Sequence, residues 1–109
     1  MVDLPVQIVR FVEEHQPPIV EAKFRDSTGC FHTFIDKSAI FTTDWGLDAT
    51  SDYPQPGAIR CEVLGRSHDQ SGREVVRVRT EVESAASLSE FIVFAGELSQ
   101  PYGEESFPS

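Results

Sequence analysis

From residue 80 onward this chain contains no Lys and no Arg. The same stretch carries six Glu, so the C-terminal third holds most of the net charge of −9. A field of that sign repels nucleic acid and anionic membrane and favours a basic partner. Cysteine is also scarce. Cys30 and Cys61 stand alone, without the paired spacing of a disulfide scaffold or a zinc ribbon, which reads as reduced thiols in a cytoplasm. No run approaches the ~20 apolar residues of a membrane span. The N-terminus lacks the basic region of a signal peptide. Glycine-rich phosphate loops, a Gly-x-Ser-x-Gly elbow and EF-hand spacing are all missing, which leaves nucleotide binding and serine hydrolysis without their usual machinery.

What the chain does have is Phe. Eight Phe stand against one Met and one Trp, a composition that suits sheets. The length of 109 residues fits one domain. Residues 1–98 read as that domain, and the Pro-, Gly-, Glu- and Ser-rich segment 99–109 as a flexible acidic tail.

A turn signal occurs twice. Asp26-Ser27-Thr28-Gly29 and Asp69-Gln70-Ser71-Gly72 each join two strand-like runs. Asp bonds the backbone two residues on, and Gly takes the left-handed position. Register then decides which side chains face out, because a one-residue slip exchanges the two faces. In the second hairpin a four-residue loop places Val63 opposite Val78, Cys61 opposite Thr80 and Glu62 opposite Arg79. A three-residue loop would oppose Val63 to Arg79. The four-residue loop is therefore expected at both turns. In the first hairpin it pairs Phe24 with Phe31 and Val20 with Ile35, and it turns Cys30, His32 and Phe34 outward.

Residues 4–12 suit a strand, although Pro5 after Asp3 and the spacing of Ile8, Phe11 and Val12 also fit a helix. Gln16-Pro17-Pro18 ends that element. The connection 38–57 is long for a compact domain, with a short strand expected at Ser38–Thr42. Ser84–Ser89 suggests one helical turn, and Phe91–Ala95 a nearly fully buried last strand. The expected fold is all-β: a small antiparallel barrel or tight sandwich of five to seven strands built around two hairpins. Closure into a barrel would remove its edges.

Chemistry is thinly represented. Cys30 and His32 on one strand face supply two metal ligands, short of the three or four that zinc takes, so neither a metal nor another cofactor is expected. Arg25, across from Cys30 in this register, is one cation beside a thiol, and this makes a thiol-dependent enzyme the least favoured reading. No catalytic residue is assigned. The suggestive surface is apolar: Phe34, Leu64 and Val75 on outward faces, Trp45 and Tyr53 in the long connection, and His32 beside them. Either the connection folds over these residues or they form a partner-binding patch. A second face, Lys23, Arg25, Arg77 and Arg79, is the alternative, for a ligand or a single-stranded nucleic acid.

Three stretches resemble a set of small uncharacterised bacterial proteins: Phe34-Ile35-Asp36-Lys37, Tyr53-Pro54-Gln55-Pro56-Gly57-Ala58-Ile59-Arg60-Cys61-Glu62-Val63, and Val78-Arg79-Thr80-Glu81. The similarity covers roughly residues 19–98 and implies a bacterial, single-domain protein. It brings no activity with it. The resulting expectation is a non-catalytic protein-interaction module, similar in size and acidity to immunity-type inhibitors of basic proteins.

Overall fold

The first strand, β1 (Val2–Glu13), takes the extended alternative. Val2, Leu4, Val6 and Ile8 are buried at every second position, while Pro5 and Gln7 between them are exposed. That period of two belongs to a strand with one buried face. The computed structural model describes residues 1–43 and 47–99. The other strands are β2 (Ile19–Arg25), β3 (Phe31–Lys37), β4 (Gln55–His68), β5 (Glu74–Thr80) and β6 (Glu90–Phe94). They form one six-stranded sheet in the order β3-β2-β1-β4-β5-β6, every neighbouring pair antiparallel. Long strands β1 and β4 lie at the centre, so two meanders stand back to back. No helix among the described residues is long and apolar enough to cross a membrane.

Both turns are three-residue loops, not four. Asp26 N–H donates to Cys30 O at 2.9 Å, and Asp69 N–H donates to Arg73 O at 2.9 Å. Gly29 and Gly72 take φ of 93° and 88°, the left-handed position that closes such a loop. Each Asp carboxylate accepts the backbone N–H groups two and four residues on. In the first hairpin this register runs the whole length. Phe24 faces His32, and Ala22 faces Phe34. The expected faces of β3 are therefore exchanged: Phe34 is fully buried, while Phe31 is 68% and Ile35 47% exposed.

In the second hairpin the outer half agrees with expectation. Cys61 faces Thr80, Glu62 faces Arg79 and Val63 faces Val78. Near the turn the register shifts by one, with Gly65 opposite Arg77 and Arg66 opposite Val76. Leu64 is the extra residue. This β-bulge lets a three-residue turn and an inward Val63 coexist.

Phe41 and Leu47, from the connection between β3 and β4, are buried in the same cluster as the inner faces of the sheet. Ser38–Ile40 is a 3₁₀ turn, not a strand. It brings Phe41 O within 2.9 Å of Ala58 N–H. The approach is close enough that a Cβ at Gly57 would sit 2.8 Å from Phe41 O. Ser84–Ser89 is a turn without helix, and only alternate residues of β6 are buried, with Ile92 46% exposed.

The sheet curls until its edges meet, but they do not form a ladder. Ser27 N–H, in the β2–β3 turn, donates to Ile92 O of β6 at 2.9 Å. Ala85 N–H, in the β5–β6 connection, donates to Thr33 O of β3 at 2.7 Å. Each edge strand is thus clasped once by the turn of the opposite meander. Beneath this seam Phe24 meets Phe91 edge-on at 5.0 Å, and Phe34 meets Phe91 at 6.0 Å, geometries that add to area burial. The result is a half-barrel with a seam.

Candidate functional site

Three features of β1, β2 and β3 bring the candidate residues together. The first is the register of β3. Its outer face presents Phe31, Thr33, Ile35 and Lys37, opposite Arg25, Lys23, Glu21 and Ile19 of β2. Two large apolar side chains therefore stand exposed among three bases and one acid, on a chain whose net charge is −9. The Arg25 guanidinium lies 5.9 Å from the Phe31 ring centroid and has no carboxylate partner among the described residues. Lys23 reaches Glu21 at 3.7 Å.

The second feature is a break in the β1–β2 ladder. Asp3 exchanges both backbone hydrogen bonds with Ser99, at 2.7 and 3.0 Å. Pairing of β1 with β2 begins only at Gln7–Lys23. Between these points stands Pro5, which continuation of the register sets opposite Arg25. Proline has no N–H to donate to a ladder. A cleft of about 660 Å³ opens beside the break, its walls including Pro5, Val9, Lys23, Arg25, Phe31 and Pro56. That volume lies in the range of ligand sites.

The third feature lies at the seam. His32 Nε2 donates to Asp26 Oδ2 at 2.7 Å. Its ring packs against Phe24 and Phe91, with centroids at 5.2 and 4.7 Å. Burial raises the affinity of Asp26 for its proton. The hydrogen bonds from His32, from the Thr28 side chain and from the N–H groups of Cys30 and Thr28 outweigh burial and hold its pKa at about 2. Asp26 is a permanent anion at neutral pH, already saturated with donors. It organises the turn and is poorly placed to accept a proton.

The apolar patch named from sequence is not assembled. Phe34 lies inside the core. Val75 shares the outer face with Arg77 by alternation, yet it is only 5% exposed, and its partner Phe94 is capped by Arg73 at 3.6 Å. Leu64 is the half-buried bulge residue, and Tyr53 is half-buried against the core cluster. His32 is half-buried at the seam. Trp45 lies outside the described residues, as do residues 100–109 of the expected tail. Ser99 is held by Asp3.

The basic face divides in two. Lys23 and Arg25 border the cleft, whereas Arg77 and Arg79, across two intervening strands, are tied to Glu90 and Glu62 at 3.2 to 3.4 Å. The sequence reading missed Phe31 and Ile35 by placing both inward. The available signal was the identity of the two turns. Cys30 is exposed, but Arg25 lies across from Phe31 rather than from Cys30. Cys61 is buried, and burial, with the charges of Asp3 and Glu81, pushes its thiol up to about 12. No group of three or more potential metal ligands occurs among the described residues. The chain matches no family model, no curated protein and no solved structure.

Proposed function

We propose that this protein is a non-catalytic binding module that presents the outer face of β2 and β3 to another protein. One observation carries the reading: Phe31 and Ile35 stand exposed on that face, bordered by Lys23, Arg25 and Lys37, with Glu21 the one acid among them. Apolar anchors within a charged rim are the usual anatomy of an interface. The rim is basic, so the partner surface that fits it is acidic with an apolar residue at its centre. Whole-chain acidity alone favours the opposite sign, but contacts are made by the local face, and net charge acts chiefly on encounter rates.

The test begins with selection from a random peptide library against the full chain. NMR mapping of the selected peptides follows. The expected result is enrichment of acidic peptides with an aromatic or aliphatic residue. Their amide shifts should cluster on residues 21–25 and 31–37, and Phe31→Ala should abolish them. Peptides that perturb another surface, or stronger perturbation of the same residues by single-stranded oligonucleotide, would overturn the reading.

A further inference from the structure

We infer that the partner of the β2–β3 face is a second copy of this chain, which offers its own segment 81–92, so that two copies pair as a symmetric dimer across their seams. This rests on the binding-face reading above and names the partner of that face.

The two sides of the seam carry charge of opposite sign. On the β3 side, Arg25 and Lys37 have no carboxylate partner among the described residues, and Lys23 is held by Glu21. On the β6 side, residues 81–92 contain three Glu and no Lys or Arg. Glu90 is shared by Arg77 and Arg79. Glu81 and Glu83 are exposed and have no ion pair among the described residues. Apolar side chains divide in the same way. Phe31 and Ile35 are exposed on β3, and Leu88 and Ile92, each 46% exposed, stand on the other side. Apart from Met1, these four are the exposed large apolar side chains among the described residues.

The clasp sets the two groups side by side. Thr33 O, between Phe31 and Ile35, accepts from Ala85 N–H, two residues after Glu83. Ile92 O accepts from Ser27 N–H, two residues after Arg25. A basic patch and an acidic patch, each with two exposed apolar side chains, therefore adjoin along one line. A two-fold axis through that line lays each patch of one copy on the opposite patch of the other, the isologous contact of a closed dimer. Phe31 and Ile35 then meet the apolar pair Leu88 and Ile92, while Arg25 and Lys37 meet Glu81 and Glu83. Segment 81–92 is thus the acidic surface with apolar residues at its centre that the basic face calls for, and apolar pairs inside a charged rim are interface anatomy. The net charge of −9 opposes association at long range, but physiological salt screens repulsion beyond about 8 Å, a longer distance than the contacts themselves. The same contact covers the seam, where both sheet edges reach the surface.

The test is sedimentation equilibrium of the full chain and of two charge-reversed forms, with far-UV circular dichroism to establish that each is folded. One form carries Arg25→Glu and Lys37→Glu, the other Glu81→Lys and Glu83→Lys. The unaltered chain is expected to dimerise with a dissociation constant on the order of 10⁻⁵ M, as suits a small interface. Each reversed form sets like charges together in its own dimer and should bind itself about tenfold more weakly or worse. An equimolar mixture of the two forms restores opposite charges at both contacts and should dimerise as the unaltered chain does. Ile92→Ser lies outside the β2–β3 face, so it should weaken the dimer while acidic peptides still bind that face. A chain that stays monomeric at about 1 mM while acidic peptides shift the amides of residues 21–25 and 31–37 would overturn the dimer and leave the face standing. A dimer that survives both reversals and Ile92→Ser, or reversed forms that fold but do not recombine, would also overturn it. Absence of both dimer and peptide binding would overturn the face and the dimer together.

Discussion

The two hairpins of this protein begin from the same turn and end differently. Asp26–Gly29 and Asp69–Gly72 share their loop length, their left-handed glycine and their carboxylate cap. The first imposes its register on every pair up to Ile19–Lys37. The second keeps its register only as far as Gly65–Arg77, after which Leu64 restores the alternative. A turn thus sets pairing over its own neighbourhood, while the burial pattern sets it farther away. Where the two agree the strand is regular. Where they conflict, one residue is extruded.

The sharpest way to break this comparison is to remove one residue from each hairpin. Deletion of Thr33 leaves the turn intact but sends Phe34 to the outer face and brings Ile35 inward. It should cost at least the ~3–5 kcal/mol of a lost core aromatic and leave little folded protein. Deletion of Leu64 removes only the bulge, since the pairs on either side of it become continuous. A loss of about 1–2 kcal/mol and a native-like spectrum are expected. Chemical denaturation followed by far-UV circular dichroism measures both. Equal effects would show that Leu64 is no dispensable bulge.

Next in size is the exchange of faces on β3. Phe34→Ala should destabilise by about 3–5 kcal/mol, and Phe31→Ala by no more than about 0.5 kcal/mol. A four-residue loop would reverse that order, so the pair of denaturation curves reads the register directly.

The smallest effect separates the two turns from each other. Asp26 serves His32 as well as its own loop, whereas Asp69 caps its loop alone. The folded pKa of Asp26, about 2, lies below its ordinary value of 3.8. Its stabilisation is therefore present above about pH 4 and is lost as the pH falls through 2. Discounted for solvent screening, the difference amounts to about 1 kcal/mol. Asp26→Asn should narrow the stability gap with wild type as the pH drops from 5 to 2. Asp69→Asn should show a weaker dependence, because its carboxyl is lowered by its own loop without His32. Stability measured across that pH range in both variants makes the comparison.

The contrast also explains what could be read in advance. The outer half of the second hairpin was legible because Glu62 and Arg79 meet only in one register, with Val63 and Val78 agreeing. In β3 neither face is distinctive. Phe31, Thr33 and Ile35 look at least as apolar as His32, Phe34 and Asp36, so hydrophobicity favoured the wrong set. His32 was expected on the outer face because the four-residue register was carried over from the second hairpin, and that register hid its approach to Asp26. Gly65 was the visible trace of the bulge, as a glycine within a strand often is. In the long connection attention went to Trp45 and Tyr53, yet Phe41 and Leu47 enter the core, and Gly57 is the residue that admits the first of them. The all-β class and its antiparallel meanders followed from turn chemistry and alternation. The binding face did not, because it depends on a single register choice.

The reciprocal clasp at the seam has a kinetic consequence. Both of its hydrogen bonds join residues from opposite halves of the chain, so neither can form until both meanders exist. Contacts this distant in sequence carry the largest loop-closure cost and form late. The expected order is hairpins first, then the β1–β4 pairing that unites them, and the seam last. By the same logic it is the place to look for the earliest local opening in hydrogen exchange, at Ser27 and Ala85.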